Sequence, residues 1–179
     1  MTETNPFKKN QNYIKIFYFL VYATMGIYGP FLARYLSEIK ISNSRIGFIL
    51  SVSTGITFLS AIIWSYISDK YRNRNLILSI CIIGNAITVL LYLFGTNYYY
   101  VLTLSIVSAT FFKPLLPLTD TAALETIKYE KNNFNFGKIR VWGTIGFLFS
   151  NVCLSYFINE YGLKTLFVMN AILMLLGLV

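Results

Sequence analysis

The chain has 179 residues, 56% of them hydrophobic and 12% charged, with 15 Lys and Arg against 7 Asp and Glu. A soluble domain carries about twice that charged fraction. Here the apolar residues fall in blocks of about 20, the length that crosses roughly 30 Å of hydrocarbon, so the composition is that of an integral membrane protein.

The net charge of +8 does not point to nucleic acid, because the basic residues sit between the apolar blocks, as orientation signals do. The absence of histidine removes the commonest general base and the usual zinc ligand. With no Gly-x-Ser-x-Gly elbow either, no enzyme constellation is present, and no cofactor or metal is expected. Cys81 and Cys153 both lie inside apolar blocks and read as small hydrophobes, not as a disulfide or metal pair.

In chain order, residues 1–15 form a polar N-terminal tail. The block at 16–36 lacks a small-residue cleavage site and reads as a retained span. Within it, Gly26, Gly29 and Pro30 predict a kink, and Arg34 snorkels to the outer boundary. The second block, 46–67, carries Gly47, Ser51 and Gly55 on one small-residue face, read as helix packing. The third runs over 76–94, and "GTN" at 95–97 is turn-like. The aromatic excess of 14 Tyr and 15 Phe is read mainly as interfacial.

The fourth block, 98–127, contains "TFFKPLLPLTD" from Thr110 to Asp120. Lys113 would lie about 22 Å down such a helix, beyond the roughly 6 Å reach of its stem to water. A charge at that depth costs a few kcal/mol unless it is paired or faces water. Asp120 is two turns on, and Pro114 and Pro117 free backbone carbonyls between the two. Broken polar stretches of this kind line protein or an aqueous cavity. The alternative is that the span ends at Phe112 and an interfacial helix follows. Asp120 also has a second reading, as salt-bridge partner of Arg140.

The fifth block, 139–158, opens with "FGKIRVWGTIGFLF". Arg140 is either a positive-inside anchor or a guanidinium that grips a solute oxygen or carboxylate. Gly143 and Gly146 permit a close helix approach beside it. After "NEYG", a turn signal, the sixth block covers 163–179 and is barely a span in length, as though the chain were truncated. Ten basic residues on one side against four on the other predict a cytoplasmic N-terminus and a multi-pass location in the inner or plasma membrane.

Two stretches carry a family resemblance. "SYISDKYRNRNLIL" at 65–78 resembles the loop signature of the major facilitator superfamily, with Asp69, Lys70 and Arg74 matching and Ser65 and Arg72 where glycines are usual. "MGIYGPFLARYLSEIKISNSRIGFIL" and "FNFGKIRVWGTIGF" resemble the lactose-permease, phenylpropionate-permease and nucleoside-permease branch of proton symporters. The resemblance implies an all-α integral membrane protein whose six transmembrane helices form one half of a twelve-helix transporter around a central cavity. It implies solute contacts at Arg140, Thr144 and Phe147, beside Lys113 and Asp120, and an inner gate at Asp69, Lys70 and Arg74. The family's fourth-helix acid position is Ala122 here, with Asp120 and Glu125 the nearest acids, so the solute's identity stays open.

The expected function is proton-coupled symport of a small polar or anionic solute. The partners are then that solute, the proton, the lipid bilayer, and a missing C-terminal half or a second copy. The rival reading is an inactive remnant, or a non-transporting assembly protein that keeps the half-fold.

Overall fold

The computed structural model describes residues 11–71, 73–129 and 136–178. The described residues form seven helical segments: α1 Gln11–Glu38, α2 Asn43–Tyr71, α3 Arg74–Leu91, α4 Tyr98–Phe112, α5 Leu115–Tyr129, α6 Phe136–Tyr161 and α7 Thr165–Leu176. Helices α4 and α5 are one span interrupted at Lys113–Pro114, so six membrane-crossing units result, as the hydropathy predicts. Four units are long and apolar enough to cross a bilayer by length and composition; α3 and α7 are shorter apolar helices.

Local chemistry sets the helix ends. After α1, Lys40 adopts a left-handed φ of 62°, and the Ile41 amide reaches back to the Leu36 carbonyl at 3.2 Å. The Asn73 side chain caps α3 by accepting from the Leu76 amide at 3.2 Å. In the predicted "GTN" turn, Asn97 caps α4 through the Tyr99 amide at 3.0 Å. Gly162 closes α6 at φ +81°, which a glycine adopts without steric cost.

α1 lies along α6 and also touches α7; α3 is wedged between α4 and α7; α2 rests on α4. The fraction buried identifies the open side. Half of the most apolar stretch of α1 and of α4–α5 is buried, against 17% for α2 and 28% for α6.

One expectation needs correction. The Gly47–Ser51–Gly55 face does not pack: all three residues are exposed, and nothing lies within 4 Å of a side chain at Gly47 or Gly55. The glycine spacing suits a helix neighbour, but among the described residues none occupies that side of α2. Part of the aromatic excess is buried: Tyr18, Tyr28, Tyr35 and Tyr92 are all core residues. The Tyr92 hydroxyl pairs with Tyr28 at 3.1 Å and with Ser105 at 2.8 Å, and its ring stacks on Phe167 at 4.8 Å. A buried hydroxyl is costly to leave unpaired in a low-dielectric bundle, and tyrosines from α1 and the end of α3 supply one another.

Candidate functional site

The site is assembled where α1 crosses α6. Gly143 and Gly146, expected to permit a close approach, do so. A methyl group on Gly143 would stand 2.9 Å from the Tyr22 ring, and one on Gly146 would strike the Phe19 backbone. Gly26, predicted as part of a kink, serves the same contact from the other helix. A side chain there would meet the Phe147 carbonyl at 2.7 Å and Ser150 Oγ at 2.5 Å. α1 itself continues as one helix through Pro30.

This crossing brings two tyrosines of α1 against α5 and α6. Tyr18 and Tyr22 are one turn apart, on one helix face. Their rings stack at 5.6 Å with an interplanar angle of 15°, and Phe136 stands edge-on to Tyr18 at 6.5 Å. The buried Tyr18 hydroxyl donates to Asp120 Oδ1, which α5 carries toward it. The Tyr22 ring packs against Gly143 of α6, three residues after Arg140. The second reading of Asp120, as salt-bridge partner of Arg140, is not met: no such ion pair is formed among the described residues, and Tyr18 donates to the carboxylate.

Arg140, Thr144 and Phe147 are placed by α6 on one stripe, four and then three residues apart. Arg140 and Thr144 are exposed and Phe147 is 36% exposed. Asn151 extends the stripe and donates to the Phe147 carbonyl at 2.7 Å. The adjacent exposed stripe is wholly apolar: Val141, Ile145, Leu148 and Val152. One open face of α6 thus suits water or a polar solute, and the next suits lipid chains.

Lys113 sits in the break between α4 and α5, half-buried and without an ion pair among the described residues; its ammonium lies 6.0 Å from the Phe112 ring centroid. The carbonyl that Pro114 orphans, that of Thr110, is taken by the Trp64 indole N–H from α2 at 2.7 Å. Asp69 and Lys70 are exposed in the last turn of α2. Arg74 opens α3, and its side chain lies outside the described residues.

Sequence reasoning missed Tyr18, Tyr22, Phe136 and Trp64. The i, i+4 tyrosine pair was visible in α1, but nothing local shows that it faces residues about 100 positions away.

Comparison with known proteins places this geometry. The MFS_1 like family model matches residues 12–179. The chain is 25% identical over 153 residues to a maltose permease of Geobacillus stearothermophilus, covering 85% of this chain and 38% of that protein. It is 26% identical over 141 residues to a probable 3-phenylpropionic acid transporter of Escherichia coli (strain K12), covering 78% of this chain and 36% of that one. Among solved structures, the nucleoside transporter NupG superposes with a TM-score of 0.86 at 21% identity, over 93% of this chain and 42% of that chain. The chain therefore spans well under half the length of each of these relatives.

Proposed function

We propose transport as the function of this chain, which belongs to the major facilitator superfamily through its MFS_1 like family: it is the N-terminal half of a secondary active transporter that moves a small polar or anionic solute together with a proton. The observation that carries this reading is the polar stripe of α6. Arg140 and Thr144 are both exposed on one stripe of α6. A guanidinium presented there is suited to grip a carboxylate or hydroxyl oxygen.

In this reading the N-terminus is cytoplasmic, the protein is multi-pass in the inner or plasma membrane, and Asp69, Lys70 and Arg74 flank the inner gate. The open faces of α2 and α6 receive a second six-helix half or a second copy, which completes the cavity.

Uptake into proteoliposomes under an imposed proton gradient tests the proposal, with the chain alone and with a C-terminal half of a relative supplied. Accumulation is expected only when the second half is present. Arg140→Ala should weaken solute affinity at least tenfold, the loss of about 1.5 kcal/mol or more from a charge-assisted hydrogen bond. Unchanged affinity would remove Arg140 from the site, and proton-driven accumulation by the chain alone would refute the need for a second half.

A further inference from the structure

We propose that Lys113 is an anion-binding residue on the open face of the fourth membrane unit, and that what it takes is a single carboxylate or similar oxyanion carried by the solute. The proposal deepens the transport reading and rests on it for the solute; the cation and its surroundings stand apart from it.

The exposure pattern separates two kinds of open surface. On α3 every exposed residue from 75 to 91 is aliphatic: Leu76, Ile80, Ile83, Ile87 and Leu91. That stripe suits lipid chains. From 100 to 123, the unit formed by α4 and α5 exposes only Thr103, Pro117 and Thr121. Lys113 keeps helical angles, φ −70° and ψ −33°, so helical spacing runs through the break. Thr103, Thr110, Lys113, Pro117 and Thr121 therefore follow one another along one face, at steps of three, four or seven residues. Pro117 has no N–H for the Lys113 carbonyl, and the next amide, that of Leu118, goes to Pro114 at 3.2 Å. A backbone acceptor left open at this depth calls for water, not hydrocarbon.

On this face Lys113 is half-buried and forms no ion pair among the described residues. Its ammonium lies 6.0 Å from the Phe112 ring centroid, at the limit of cation–π range. It stands about 22 Å along the axis from Tyr98, so lipid headgroups at the boundaries do not reach it. An ammonium at such a depth is costly until water or an anion meets it. Asp120, about 10 Å further along the axis, is held by the Tyr18 hydroxyl. A second negative group on the solute would run against that carboxylate, so a solute with one acidic group is the fit.

The test places a thiol one turn from Lys113, by Thr110→Cys, in the chain reconstituted into phosphatidylcholine liposomes. Two methanethiosulfonate reagents of similar size convert it to a mixed disulfide, one carrying an ethylsulfonate anion and the other an ethyltrimethylammonium cation. Peptide mass spectrometry reads the rate at position 110 apart from Cys81 and Cys153. With Lys113 present, the anionic reagent should gain about tenfold on the cationic one, relative to Lys113→Gln. Its rate should saturate with concentration, as binding before reaction requires. Benzoate, but not benzamide, should slow it at constant ionic strength.

A ratio that Lys113→Gln leaves unchanged overturns the proposal, and so does failure of both reagents to react, which would put this face in lipid. A linear rate that benzoate does not slow describes a solvated ammonium with no site, and overturns it equally. Should Lys113→Gln fail to fold, saturation and benzoate competition with Lys113 present decide alone. None of these readings uses uptake. A chain that moves nothing would sink the transport reading and leave the anion site in place; transport of an uncharged solute past an inert Lys113 would do the reverse.

Discussion

Trp64 offers the sharpest test of how this bundle tolerates prolines in mid-membrane. Pro114 has no N–H, so the Thr110 carbonyl loses its helical donor just where α4 stops at Phe112. The indole N–H of Trp64 fills that vacancy from α2 at 2.7 Å, and its ring packs on Phe111 at 5.9 Å. One turn earlier on α2, Ser60 Oγ reaches the neighbouring Ala109 carbonyl at 3.4 Å, a longer and weaker contact. Trp64→Phe keeps the ring against Phe111 and deletes the donor. A buried carbonyl left unpaired costs about 1–3 kcal/mol in general, while interhelical hydrogen bonds in membranes average about 0.6 and reach about 1.7 kcal/mol. We therefore expect a loss of about 1–2 kcal/mol, read by circular dichroism during unfolding of the chain in mixed micelles titrated with dodecyl sulfate. Pro114→Ala restores an N–H inside the helix, so Trp64→Phe should then be nearly silent. The coupling in this double-mutant cycle should be about 1 kcal/mol or more. If Trp64→Phe costs the same with and without Pro114, the indole is only packing, and the reasoning fails.

Other substitutions separate packed from open glycines. Gly146→Ala places a methyl group against the Phe19 backbone, which cannot swing aside, and should destabilise the chain by about 1–3 kcal/mol in the same unfolding assay. Gly55→Ala meets nothing within 4 Å and should be neutral or slightly stabilising in the isolated chain; a loss of stability there would show that the α2 face is covered. Tyr92→Phe removes the hydroxyl shared by Tyr28 and Ser105 and should cost about 1–2 kcal/mol, with hydrogen exchange rising at the α3–α4 end of the bundle. Asn170→Leu deletes the donor to the Thr24 carbonyl at 2.9 Å between α7 and α1, and about 1 kcal/mol of stability should go with it.

What could be read from the sequence follows from which forces act locally. Hydrocarbon selects for apolar length, so all six blocks were visible, and the prolines at 114 and 117 announced a broken fourth unit through their own chemistry. The capping asparagine at 97 and the glycine at 162 act within a few residues and were legible as turns. The site was legible only on one side. Arg140, Thr144 and Phe147 share a stripe by helical spacing, whereas the partner of Asp120 lies 102 positions away on α1. No local pattern distinguishes Tyr18, fully buried in the core, from Tyr99, which is open at the start of α4.

The two glycine-bearing helices make the same point physically. Gly47 and Gly55 on α2 and Gly143 and Gly146 on α6 present similar small surfaces, yet only the second pair touches a neighbour. Small residues lower the steric barrier to approach but supply no attraction; what fills the space depends on the surfaces opposite. On α6 the space is filled by Phe19 and Tyr22 of α1. On α2 the same kind of surface meets no neighbour among the described residues. A helix this apolar, with Phe58, Leu59, Ile62 and Ile63 all exposed, has its burial still to be supplied by lipid or by protein. Lipid can satisfy the bulky side chains but fills the notches at Gly47 and Gly55 poorly, so close van der Waals contact there is available chiefly to another helix. Under the transport reading proposed above, the open notch on α2 is the surface on which a helix of a second half would seat.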